Sequence, residues 1–179
     1  MEPMVPLSSD GRYDLPTIWL HWAPVSLIAV LWVIGQTADL VPPGPFRAGL
    51  WSIHVVLGFA TALVLLARVA WRALFGRVLP AADTGLLYAI AKATHSALYL
   101  LIAAAVVLGI ANASYRGFNI FGVWHVPQFG TGDSATRHTI NGWHELAANL
   151  TVLVACLHAA AALMHQYVWR DRLLERMRL

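Results

Sequence analysis

The chain has 179 residues, of which 59% are hydrophobic and 12% charged, with a net charge of +3 and a mean hydropathy of +0.62. That charged fraction is about half the average for soluble domains, so lipid is the expected solvent, and so small and scattered a positive charge gives no reason to expect a nucleic-acid partner. A single cysteine, Cys156, excludes an intramolecular disulfide and any multi-cysteine metal or iron–sulfur site.

The first sixteen residues hold Glu2, Asp10, Asp14 and three prolines but no apolar run. No cleavable signal peptide is expected there, and the first apolar segment is read as a retained helix. Four segments are long enough to cross a hydrocarbon core of about 30 Å: residues 17–37, 49–70, 87–111 and 143–167. Pro42, Pro43 and Pro45 close the first connection, and Arg72, Gly76, Arg77 and Pro80 mark the second. Residues 112–142 are too polar and glycine-rich to face lipid, and the aromatic run from Phe118 to Trp124 suggests a short cap there. The expected fold is an all-α membrane protein, a single-domain bundle of four transmembrane helices over residues 1–179, with a longer outer loop between the third and fourth.

Basic residues set the expected orientation. Arg12, Arg68, Arg72, Arg77, Lys92, Arg170, Arg172, Arg176 and Arg178 fall on the side of the termini; Arg47, Arg116 and Arg137 fall on the other. Nine against three puts both termini in the cytoplasm and the long loop outside.

Eight histidines are many for this length, and histidine inside a span usually has a function. His21 begins the first helix at the inner side and His158 lies toward the inner end of the fourth. His54 and His144 lie near the outer ends of the second and fourth. Two pairs at two depths follow from topology. His144 and His158 are fourteen residues apart, about 40° short of four turns and about 21 Å along the axis, so one helix face can serve two stacked groups. Haem iron takes axial ligands perpendicular to its macrocycle, and two histidines per iron suit electron transfer rather than oxygen binding. Gly58, Ala148 and Ala162, each one turn after a histidine, leave room for a porphyrin edge. The absence of Cys-x-x-Cys-His excludes covalent attachment, so two haems b are expected. A helix–helix hydrogen bond is the plainer use of any one such histidine. A divalent-metal site would gather more ligands at one depth and recruit carboxylates, and Glu145, at a helix start, is the one acid in these segments.

His165 follows His158 by seven residues near the inner surface and is a candidate for a quinone headgroup or a haem propionate; an interfacial histidine is the alternative. His95 and Lys92, at the inner start of the third helix, are further quinone candidates. His125 and His138 fall in the outer loop and are expected to be solvated. Cys156 is read as packing. Trp22, Trp32, Trp51, Trp143 and Trp169 are read as interfacial anchors.

LHW at residues 20–22, IHVVLG at 53–58, GWHELAAN at 142–149 and LHAAAALMHQYVW at 157–169 resemble the bacterial cytochrome b561 family. The resemblance covers all four helices, and the last stretch is its most specific part. It implies a four-helix bundle in the bacterial inner membrane with two haems b, His21 pairing with His158 and His54 with His144, linked to the quinone pool. One branch of similar length oxidises superoxide at the outer face and reduces ubiquinone. Trp19 stands where that branch carries a small polar residue near the quinone, so the resemblance carries over the haem ligands and not the quinone contacts.

Three readings compete. The first is a superoxide:quinone oxidoreductase, with Arg137, Arg116 and Arg47 as candidates for steering the anion. The second is an electron carrier for a periplasmic redox protein, docked on Phe118, Phe121 and Trp124. The third is a small transporter or metal-binding membrane protein, which the lack of carboxylates and paired broken helices disfavours.

Overall fold

The computed structural model describes residues 11–130 and 133–179. Glu2 and Asp10, on which the signal-peptide expectation partly rests, lie outside the described residues. Four long helices dominate: α1 (Leu15–Thr37), α2 (Pro45–Leu74), α3 (Gly85–Arg116) and α4 (Ser134–Met164). All four are long and apolar enough to cross a membrane. They pack mainly as two hairpins, α1 with α2 and α3 with α4, and the hairpins touch each other less closely.

The helix ends follow local chemistry. Asp14 caps α1, accepting from the Thr17 backbone N–H at 3.1 Å and its hydroxyl at 2.8 Å. The same carboxylate accepts from Trp71 Nε1 at 2.8 Å and the Arg77 N–H at 3.0 Å, tying the start of α1 to the end of α2. Partial burial pushes the Asp14 carboxyl up, but these four donors outweigh it and hold the pKa at about 2. Gly117, in the left-handed region at φ 56°, ends α3.

α4 starts at Ser134, well before the expected residue 143. Asp133 caps it by accepting from the Thr136 N–H at 2.8 Å. The added turns are polar, so they form helix without the hydropathy that marks a span. The connection before them is correspondingly shorter and contains a two-stranded antiparallel hairpin, β1 (Asn119–Ile120) and β2 (Trp124–His125). Phe121 and Gly122 at its tip take φ of 51° and 74°, as a tight turn with two left-handed central residues requires. Buried Ser52 of α2 accepts the Phe121 N–H at 3.0 Å, and Ile120 and Val126 pack with Ala113. These contacts seat the hairpin on one end of the bundle, the loop end.

The start of the described chain meets the C-terminal segment at the other end. The Tyr13 N–H donates to the Arg176 carbonyl at 3.0 Å, and Trp22 Nε1 to the Met177 carbonyl at 3.0 Å. Arg176 in turn donates to the Pro80 carbonyl at 2.8 Å. A short 3-10 turn, Leu173–Met177, thus closes over this terminal end.

Candidate functional site

The bundle interior holds few large side chains. The largest that are fully buried are Ile18, Thr61 and Ser52. Between the hairpins lies a cavity of about 690 Å³ lined by residues of all four helices, among them His54, Gly58, Gly109 and His144. That volume is within the usual range for a cofactor site, about 300–1,000 Å³.

Histidines approach one another at two levels. His54 and His144 have ring centres 6.1 Å apart with planes at 79°. His21 and His158 have centres 6.5 Å apart with planes at 77°. Two imidazoles on opposite faces of one metal ion, with metal–nitrogen bonds of about 2 Å, should have centres about 6.3 Å apart. Both separations fit a bis-histidine haem. His95 is closer to His158, at 5.1 Å, too close for the two to share an ion in that way. Among the described residues there is no group of three or more His, Cys, Asp or Glu arranged to hold a bare metal ion.

The histidine at the loop end of α4 is oriented by α3, which sequence reasoning left out of the site. His144 Nδ1 donates to the Ala105 carbonyl at 2.8 Å. A carbonyl can only accept, so Nδ1 carries the hydrogen and Nε2 is left for a metal. Gly109 makes the approach possible. A Cβ there would lie 3.0 Å from His144 Cε1 and 3.3 Å from Nδ1. Gly35 of α1 is less tight, with a Cβ meeting His54 Cε1 at 3.6 Å, and at Gly58 a Cβ would meet nothing. His54 Nδ1 is buried without a hydrogen bond of good geometry, although the Leu31 backbone lies beside it.

Arg68 is the other residue that sequence reasoning passed over, as a flanking charge. It follows His54 by fourteen residues, the spacing of His144 to His158, so the same near-four-turn argument puts it on the inward stripe of α2 with buried Thr61 and Leu65. Its Nε donates to the Tyr99 hydroxyl at 2.9 Å, and its guanidinium sits 5.7 Å from that ring's centre. Tyr99 stands one turn after His95 on α3, and the His95 ring is 5.1 Å from that of His158, so Arg68 is held close to their level.

The quinone candidates fall at the terminal end. His165 is 7% exposed and opens a π-helical turn, His165–Trp169, after α4. Its Nδ1 lies 2.5 Å from Asp171 Oδ2, a contact that holds the Asp171 carboxyl below its usual range. Its Nε2 is 3.5 Å from Asp83 Oδ2, too long for a strong hydrogen bond. Lys92 and His95 are exposed on α3.

The cations at the loop end are not equivalent. Arg47 pairs with Asp39, which also accepts from Trp51 Nε1 at 3.2 Å. Arg116 lies 5.8 Å from the Phe118 ring centre. Arg137 lines the cavity with Arg116 and Arg47. His125 is exposed on β2, and His138 is exposed at the cavity mouth. Cys156 is exposed on the bundle surface rather than packed.

The family model for prokaryotic cytochrome b561 matches residues 12–178. Cytochrome b562 of Cereibacter sphaeroides is 32% identical over 176 residues, covering 96% of this chain and 98% of the relative. The probable superoxide oxidase CybB of Yersinia pestis is 27% identical, covering 93% and 95%. Cytochrome b561 homolog 1 of Escherichia coli is 27% identical, covering 93% and 97%.

Proposed function

The chain belongs to the prokaryotic cytochrome b561 family, a family of haem b electron-transfer proteins of the bacterial membrane, and on that premise we propose that it carries two haems b and links an external one-electron donor to the quinone pool. In this reading residues 1–179 form one membrane domain, with the terminal end in the cytoplasm and the loop end outside. His54 and His144 hold the outer haem, and His21 and His158 the inner one. The observation that carries the reading is the pair of ring separations, 6.1 and 6.5 Å, at two levels of one bundle. His54 with His144 and His21 with His158 would each hold one haem, which when bound would supply a one-electron iron couple.

The chain's own residues divide the work by depth. At the outer level Ala105 fixes the His144 tautomer, and Gly58 and Gly109 keep the cavity open. At the inner level His165 is the leading donor to a quinone carbonyl. Asp171, itself partly exposed, fixes Nδ1, while Nε2 has no strong partner. His95, on the edge of His158, and Lys92 are the secondary candidates. Superoxide is the proposed outer substrate, by analogy with the Yersinia pestis relative's printed activity. The competing reading, a carrier for a periplasmic redox protein, has support in Phe121 and Trp124, which are 55% and 53% exposed on the loop-end hairpin.

Purified protein given superoxide and ubiquinone analogue decides between them. Superoxide-dependent haem reduction followed by quinone reduction supports the enzyme. No reaction with superoxide, together with reduction by a periplasmic protein fraction, favours the carrier. His165→Ala is expected to slow quinone-linked reoxidation at least tenfold while both haem signals persist; unchanged kinetics in His165→Ala, His95→Ala and Lys92→Ala would move quinone away from the terminal end.

A further inference from the structure

An arginine inside a membrane span needs a partner, because burying an unpaired charge or an unmade donor is costly. Arg68 has only part of one. The Tyr99 hydroxyl takes Nε, but Nη1 is buried with no hydrogen-bond acceptor. The four long helices contain one carboxylate, Glu145, and it lines the cavity at the opposite level with His54 and His144. Among the described residues the carboxylates near the terminal end are engaged elsewhere: Asp14 with Thr17, Trp71 and Arg77, Asp83 and Asp171 around His165, and Glu175 beside Arg172.

We propose that Arg68, held by Tyr99, is the anchor for a propionate carboxylate of the haem ligated by His21 and His158. This rests on the two-haem reading above. Three observations converge on it. Arg68 sits on the inward stripe of α2 that begins at His54, so it faces the space the haem would fill. It is hydrogen-bonded to Tyr99, one turn of α3 after His95, whose ring lies 5.1 Å from that of His158, which places it close to their level. Its open valence is a guanidinium N–H, for which a carboxylate is the matching acceptor. A quinone carbonyl would satisfy the donor but leave the buried charge uncompensated, so the carboxylate is the better occupant. Tyr99 acts as a positioning residue. It fixes the guanidinium plane through Nε and leaves the Nη edge for the ligand.

The test is a redox titration of both haems in detergent-solubilised holoprotein, with haem counted per chain. A positive charge beside a haem favours its reduced state, which carries one less positive charge. Arg68→Gln should therefore shift the inner haem to lower potential and make that potential more dependent on pH, because the propionate loses the cation that kept it ionised. The outer haem should titrate as in wild type. Arg68→Lys should recover much of the shift. Should Arg68→Gln fail to accumulate, Tyr99→Phe keeps the charge and frees the guanidinium, and a smaller shift of the same sign is expected. Unchanged potentials with slower quinone reduction would overturn the proposal in favour of a quinone contact, and a shift confined to the outer haem would overturn it outright. If His21→Ala and His158→Ala lose no haem, it is the two-haem reading that fails, a result distinct from either.

Discussion

The two histidine levels are built to different plans. At the loop end a cavity opens among the helices, glycines line it, and its mouth carries guanidiniums at Arg116 and Arg137. At the terminal end the chain folds back over itself, through Tyr13, Trp22 and Arg176, and the guanidinium is internal, at Arg68. The lesson is that two similar histidine pairs need not have equal access. The outer pair faces a mouth that a small soluble reactant can enter, whereas the inner pair is capped on the side of the termini. That difference in access is what the proposed quinone site at the terminal end would require.

The sharpest way to break this comparison is to remove ligands by level. His54→Ala and His144→Ala should each reduce haem content from about two per chain to about one and delete the same spectral component. His21→Ala and His158→Ala should delete the other. His125→Ala and His138→Ala should leave both. A reduced-minus-oxidised spectrum with haem quantified per polypeptide reads all six variants. If His21→Ala and His144→Ala removed the same component, the two levels would not exist as described.

A smaller effect should separate the levels without touching a ligand. Gly109→Ala places a methyl 3.0 Å from His144 Cε1, closer than a ring tolerates without moving. Overpacking of this kind typically costs about 1–3 kcal/mol, and here it also disturbs the hydrogen bond to the Ala105 carbonyl. The outer haem should be lost about tenfold more readily to apomyoglobin, by the conversion of about 1.4 kcal/mol per decade, with the inner haem unaffected. Gly35→Ala, whose methyl would sit at an ordinary 3.6 Å from His54, is the matched control and should change little. Equal haem loss in both variants would show that Gly109 does not shape the outer site.

What was legible in the sequence follows from what periodicity can carry. His144 and His158 share a face of one helix, and topology brings His54 and His21 to matching depths; fourteen-residue spacing and loop order suffice for that. The same spacing links His54 to Arg68, and it was overlooked because an arginine near a helix end reads first as a topology signal. The role of α3 had no signal of its own. Ala105 contributes a backbone carbonyl and Gly109 contributes the absence of a side chain, and neither announces itself as a residue type. The early start of α4 was hidden for a different reason: Asp133 and Thr136 form a cap, but the turns that follow are polar, and a search for apolar length passes over them.

The smallest expected effect concerns the charge at the outer mouth. The cavity lining includes Arg47, Arg116 and Arg137 against Asp39 and Glu145, three cations to two carboxylates. Arg47 is neutralised locally by Asp39, so Arg116 and Arg137 supply what attraction remains for an anion. Arg137 is the better probe, because Arg116 is also engaged with the Phe118 ring. Arg137→Gln should lower the bimolecular rate of haem reduction by superoxide about threefold at low salt, and wild type should converge on the variant as ionic strength rises past about 0.1 M, where screening acts within about 10 Å. Spectra and haem content should stay as in wild type. If instead Arg137→Gln lowers the outer haem's potential while the rate keeps its salt dependence, Arg137 acts on the haem rather than on the approaching anion. Its role would then parallel the one proposed for Arg68, and the two ends would be more alike in electrostatics than their difference in access suggests.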